Sequence, residues 1–152
     1  MYTFVLSLHS WLRWVALLAG IAATFTTLSD RAASTDARRA DMWGLALMAT
    51  LDVQMLLGLL LYFVLSPITA EAMRDFGAAM RNPALRFFAV EHLMLMMAAV
   101  VLAHVGRVLA RKAPTPDAKR MRMLICFGLA TGAMVLAIPW PGMANGRPLF
   151  RI

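Results

Sequence analysis

Apolar residues along this chain run in four long blocks, without the two-residue alternation or single amphipathic stripe of a soluble fold. The blocks cover roughly residues 5–28, 43–66, 87–110 and 121–139, joined by polar stretches. One bilayer crossing takes about 20 mostly apolar residues, so each block predicts a transmembrane helix. Too little chain remains for a separate soluble domain. The expected fold is all-α: one transmembrane domain, residues 1–152, forming an integral membrane four-helix bundle. Pro114 and Pro116 interrupt the last connection, and Pro139 and Pro141 end the fourth block. In the longest connection, 67–84, the stretch from Glu71 to Phe76 predicts a short interfacial helix. Small residues mark expected close packing: Ala16, Ala19, Gly20 and Ala23 in the first block, and the GxxxG pair Gly128 and Gly132 in the fourth.

Composition agrees, with 61% hydrophobic residues and a mean hydropathy of +0.70. Fifteen Lys and Arg against eight Asp and Glu give a net charge of +7. In a soluble chain that balance points to nucleic acid. Here the basic residues flank apolar blocks, so topology and lipid headgroups account for them and no nucleic-acid partner is expected. Arg31, Arg38, Arg39, Arg107, Arg111, Lys112, Lys119, Arg120 and Arg122 fall on one face. The other carries Arg74, Arg81, Arg86, Arg147 and Arg151, with Arg13 at its edge. The excess places the first set in the cytoplasm of a bacterial inner membrane and both termini on the outer, periplasmic side. Trp11, Trp14 and Trp140 then anchor the outer boundary and Trp43 the inner one. The N-terminus lacks a basic stretch and a cleavage site, so the first block is expected to be retained. Cys126 is the sole cysteine, which excludes an internal disulfide and a cysteine metal cage.

All three histidines lie in apolar blocks, and His92 directly follows Glu91. Ionisable groups at such depth need a partner, a proton or a metal. With the termini outside, His9 and His92 lie within one or two helical turns of the same depth near the outer face. Two neutral imidazoles from facing helices are a known way to hold b-type haem. His104 lies twelve residues beyond His92, about 18 Å further and about 120° around the helix, so it belongs to another site. Asp52 is its best partner. Arg13, one turn after His9, is placed to neutralise a haem propionate, pair with Glu91 or reach lipid phosphates. Glu91 must be paired or protonated. Its alternatives are an ion pair with Arg13 or proton transfer to a quinone-like substrate. Gln54 projects about 200° from Asp52 and is expected to hydrogen-bond across helices. Copper is the rival to haem: the chain has 13 methionines, and Met96 stands one turn from His92, a pairing suited to Cu(I). No HExxH zinc motif, phosphate-binding glycine loop or hydrolase elbow around Ser10 is present.

The string from His9 to Trp14, the runs 54–63 and 85–92, and Ile138-Pro139-Trp140 resemble a group of small four-helix bacterial membrane proteins labelled cytochrome b-like. The resemblance spans most of the chain. It implies a haem-bearing or haem-derived bundle in an electron-transfer membrane, and it carries over to His9, Gln54, Glu91 and His92. The chain departs from the pattern at Asp52, where a histidine is expected. The first expectation is an electron-transfer protein or subunit with haem b between His9 and His92. Quinone, lipids and other membrane subunits are its candidate partners. The second is a cofactor-free accessory subunit of a respiratory or photosynthetic complex. Neither requires catalysis by this chain.

Overall fold

The computed structural model describes residues 1–29 and 34–150; Arg31 and Arg151, both counted for topology, lie outside the described residues. Seven helices occur among them: α1 (Tyr2–Ser29), α2 (Ser34–Leu60), α3 (Pro67–Arg74), α4 (Phe76–Arg81), α5 (Pro83–Arg86), α6 (His92–Arg111) and α7 (Pro116–Ala137). A π-helical turn, Leu61–Leu65, extends α2, and another, Phe87–Glu91, joins α5 to α6. No strand is present among the described residues. Four helices are long and apolar enough to cross a membrane: Tyr2–Ser29, Arg38–Leu65, Pro83–Arg111 and Pro116–Ala137. Hydrocarbon supplies no hydrogen bonds, so the backbone must satisfy itself, and helix is the form that does so within one segment. Thr24, Thr26, Thr27, Thr50 and Thr131 obey the same limit, each donating its hydroxyl to the carbonyl four residues earlier.

Sequence punctuation sets the breaks. Ser66, Asp75, Asn82 and Thr115 cap the helices that follow them through side-chain oxygens. Proline stands in the first turn of α3, α5 and α7. The expected interfacial helix is thus a chain of three short ones, broken at Asp75 and Asn82.

The four spans form a ring in the order α1, α2, α6, α7, leaving α1 diagonal to α6. Ala16, Ala19 and Ala23 are buried in the common core with Leu47, Leu51 and Phe127. Span α7 is received by a glycine on each of the other three. A Cβ at Gly44 would stand 2.7 Å from Phe127 Cζ, one at Gly106 2.6 Å from Cys126 Cβ, and one at Gly20 2.7 Å from Met134 Cε. The expected GxxxG contact is not made. A Cβ at Gly132 meets nothing within 4 Å, and one at Gly128 only Thr24 Cγ2 at 3.8 Å. Both span boundaries and lipid-facing surface are apolar, so a glycine motif alone does not identify the packed face.

At the end carrying the inner basic set, arginines bind helix carboxyl termini. Arg120 Nε donates to Thr27 O at 3.1 Å, and Arg122 Nη1 to Leu109 O at 2.8 Å. Both neutralise the negative ends of α1 and α6. Arg107 Nη1 donates to Asp41 O at 2.8 Å, while Lys119 pairs with the Asp41 carboxylate at 2.6 Å. These cations therefore do structural work besides any role in topology.

Replacing Gly44 by Leu overpacks the Phe127 contact and is expected to destabilise the detergent-solubilised protein by about 1–3 kcal/mol. Gly132→Leu, pointing into open space, should stay within about 0.5 kcal/mol. Thermal unfolding followed by circular dichroism compares the two.

Candidate functional site

The two π turns shape the end of the bundle where the segment 147–150 lies against α1. In a π turn, hydrogen bonds span five residues, and the widened turn acts like a one-residue insertion. Residues five apart then share a face. Arg86 Nε and Glu91 Oε1 use this, pairing at 2.6 Å with both side chains half exposed. The insertion also rotates everything after it by roughly 100°, which sets the direction of His92. Wide turns loosen their carbonyls, and side chains take them up. Tyr62 Oη donates to Ala89 O at 2.8 Å, tying one π turn to the other, and Thr69 Oγ1 donates to Tyr62 O at 2.7 Å.

From the diagonal helices α1 and α6, His9 and His92 meet across the bundle. Their ring centroids lie 6.3 Å apart with planes inclined at 65°. His92 Nδ1 lies 2.8 Å from Ala137 O. A carbonyl only accepts, so Nδ1 carries the hydrogen and Nε2 keeps its lone pair. His9 Nδ1 is buried without a hydrogen bond, packed against Gly58, where a Cβ would stand 3.3 Å from His9 Cε1. Gln54, only 3% exposed, donates from Nε2 to His9 O at 2.9 Å and fixes the depth of α1 against α2.

Around the two rings lies a partly open cavity of about 150 Å³ to which all four spans contribute. Met55, Met96 and Met134 line it, together with Tyr62 and Phe88. Arg13, Arg147 and Pro148 also line it. The C-terminal segment folds back over this end. Arg13 Nη2 and Trp14 Nε1 both donate to Leu149 O, at 2.7 and 3.2 Å. Phe150 stacks on Trp14 with centroids 5.5 Å apart, and Arg147 lies over the Phe88 ring at 5.2 Å. Gly142, at φ 91°, supplies the left-handed residue for the return.

Of the sequence candidates, His9, His92, Arg13 and Met96 share this cavity. Glu91 does not line it. The expected Arg13–Glu91 pair is replaced by Arg86–Glu91, because the π turn brings Arg86 onto Glu91's face while Arg13 holds the C-terminal segment. Asp52 and His104 lie outside the cavity and meet each other, Oδ2 to Nε2, at 3.5 Å. Gln54 bridges helices as expected. Gly58, Tyr62, Arg147 and the Ala137 carbonyl were not read as site residues. Gly58 had a signal, a glycine inside an apolar span one turn from Gln54; a backbone carbonyl has none.

Among the described residues, no three His, Cys, Asp or Glu side chains gather as a metal-binding group. A metal here would rest on the two imidazoles and on donors of other kinds. Comparison with protein families, with curated proteins and with solved structures finds no match to this chain.

Tyr62→Phe removes the tie between the π turns and is expected to lower stability by about 0.5–1.5 kcal/mol. Glu91→Gln breaks a half-exposed pair and should change it by less than about 1 kcal/mol. Denaturation midpoints of the two purified variants against the parent measure both.

Proposed function

We propose that this chain is an electron-transfer protein or subunit of the bacterial cytoplasmic membrane, holding b-type haem between His9 and His92 near the outer face. The observation that carries this reading is the imidazole pair in a cavity that also contains two guanidinium groups. Two imidazole nitrogens bound to one metal at about 2.0–2.1 Å put their ring centroids roughly 6 Å apart, against 6.3 Å here. Ligand histidines usually anchor their other nitrogen on a carbonyl or carboxylate, as His92 does on Ala137 O.

Charge separates haem from a bare ion. Arg13 and Arg147 line the cavity, and no Asp or Glu among the described residues does. Guanidinium groups repel a naked cation and bind carboxylates strongly, and haem carries two propionates. The cavity of about 150 Å³ is sized for one small ring and falls below the roughly 300–1,000 Å³ of most ligand pockets. Flexible lining side chains such as Met55 and Met96 would have to move aside to admit haem. When bound, the haem would supply one-electron transfer. His9 and His92 would hold the iron, the surround is largely apolar, and Arg13 and Arg147 would face the propionates. A quinone or another membrane subunit is the proposed exchange partner.

A second reading, Cu(I), is favoured by that small volume and by Met55, Met96 and Met134 on the lining, since thioether and imidazole suit the soft ion. It lacks an answer to the two arginines.

Protein purified from its native membrane should contain about one haem per chain by pyridine haemochrome assay. His9→Ala and His92→Ala should each lower that content at least tenfold, and Gly58→Val, which pushes on His9, on the order of tenfold. His104→Ala should leave it unchanged. Stoichiometric copper in place of haem selects the second reading, and absence of both metals refutes the pair.

The cytoplasmic placement of the arginine-rich end gives a separate expectation. Alkaline phosphatase fused after the C-terminus should be active, and fused at Pro114 inactive; the reverse pattern inverts the topology.

A further inference from the structure

Asp52 and His104 stand within their spans on the outer surface of the bundle, where α2 meets α6. Their side chains are 45% and 44% exposed. His104 Nδ1 lies 3.0 Å from Val100 O, so that nitrogen carries its hydrogen and only Nε2 is left for Asp52. Nε2 and Oδ2 stand 3.5 Å apart, a long contact that leaves both groups short of a good hydrogen bond. Asp52 has no further hydrogen bond among the described residues, yet a carboxylate offers up to four acceptor sites. At this depth the uncovered side of the pair faces hydrocarbon, and such groups almost always turn instead toward protein or a water-filled cavity.

The surroundings have the form of a helix-packing face. On α2, Leu45, Ala49 and Leu56 are exposed in register with Asp52; on α6, Met97, Val101 and Val108 are exposed in register with His104. Both stripes run at spacings of four, three and four residues, the spacing of a helix–helix seam. Each has one polar residue at an inner position. A single polar residue in an apolar seam fixes register and partner.

We propose that this face is the contact between two copies of the chain in the membrane. A two-fold axis along the bilayer normal keeps every group at its own depth. Asp52 and His104 already touch, so they share one depth, and the axis brings both pairs to the same level. Because Nε2 is too far from its own Asp52 for a good hydrogen bond, it is open to the other copy's carboxylate, and the reverse, which makes the face complementary to itself. Ala49 beside Asp52 lets the backbones approach. The dimer is independent of what the outer cavity holds.

The full chain carrying Cys126→Ala and one new cysteine, reconstituted in phosphatidylcholine vesicles and oxidised, tests the contact. Ala49→Cys or Val101→Cys should give a disulfide-linked dimer in several-fold higher yield than Leu18→Cys or Leu129→Cys, which are exposed on α1 and α7. Adding Asp52→Leu should lower that yield several-fold while the thermal midpoint of the monomer holds. Equal yields on both faces, or a yield indifferent to Asp52→Leu at unchanged midpoint, overturns the proposal.

Discussion

The backbone carbonyl is the partner on which this bundle depends. Inside hydrocarbon a polar side chain cannot turn to water, and this chain has few acidic residues within its spans. The polar groups are therefore settled on carbonyl oxygens. Threonine hydroxyls take those four residues earlier in the same helix, Gln54 takes His9 O, and Tyr62 takes Ala89 O. Arginines close the carboxyl ends of α1 and α6 in the same way. Because a carbonyl can only accept, each contact also fixes where a hydrogen sits. For His92 the consequence is chemical: with Nδ1 committed to Ala137 O, a lone pair is left on Nε2. A structural bond between α6 and α7 thereby sets the tautomer of the ring.

The π turns show how local geometry is exchanged for position. Each weakens the regular hydrogen-bond ladder and needs outside help, which Tyr62 and Thr69 provide. In return, the turn before His92 re-aims α6 so that its imidazole crosses the bundle to meet His9 on the diagonal helix. It also brings Arg86 to Glu91. Arg13 holds Leu149 O and, through it, the C-terminal segment over the cavity. One inserted residue thus reaches the histidine pair, the ion pair and the C-terminal segment.

How much of this was legible in the sequence follows from the solvent. The four spans were plain, because about 20 apolar residues have few other uses, and prolines marked the last connection and the end of the fourth span. The shared depth of His9 and His92 followed from topology and helical rise, and the Asp52–His104 contact from the need of each for a partner. The packed faces were not legible. Lipid and protein interior are equally apolar, so periodicity does not distinguish them, and Gly128 and Gly132 were no better marked than Gly20, Gly44 and Gly106. The Arg86–Glu91 pair was missed because α-helical geometry puts residues five apart on different faces, and nothing in the residues announces a π turn. The roles of Ala137 O and Leu149 O belong to backbone atoms, which every residue possesses.

The two histidine pairings differ in what each contains. His104 and Asp52 bring an imidazole and a carboxylate together at 3.5 Å and lack cover on one side. His9 and His92 have no such pairing. Among the described residues no Asp or Glu lines their cavity, Arg13 and Arg147 do, and the ring whose orientation is fixed presents a lone pair, which attracts no second lone pair. Two imidazoles set edge to face across a bundle gain little from each other. They gain a great deal from an electron-pair acceptor placed between them, and the neighbouring cations gain if that acceptor brings its own negative charge. On the proposed function, His9 and His92 take a group the polypeptide does not supply, whereas on the proposed dimer Asp52 and His104 need only another polypeptide surface.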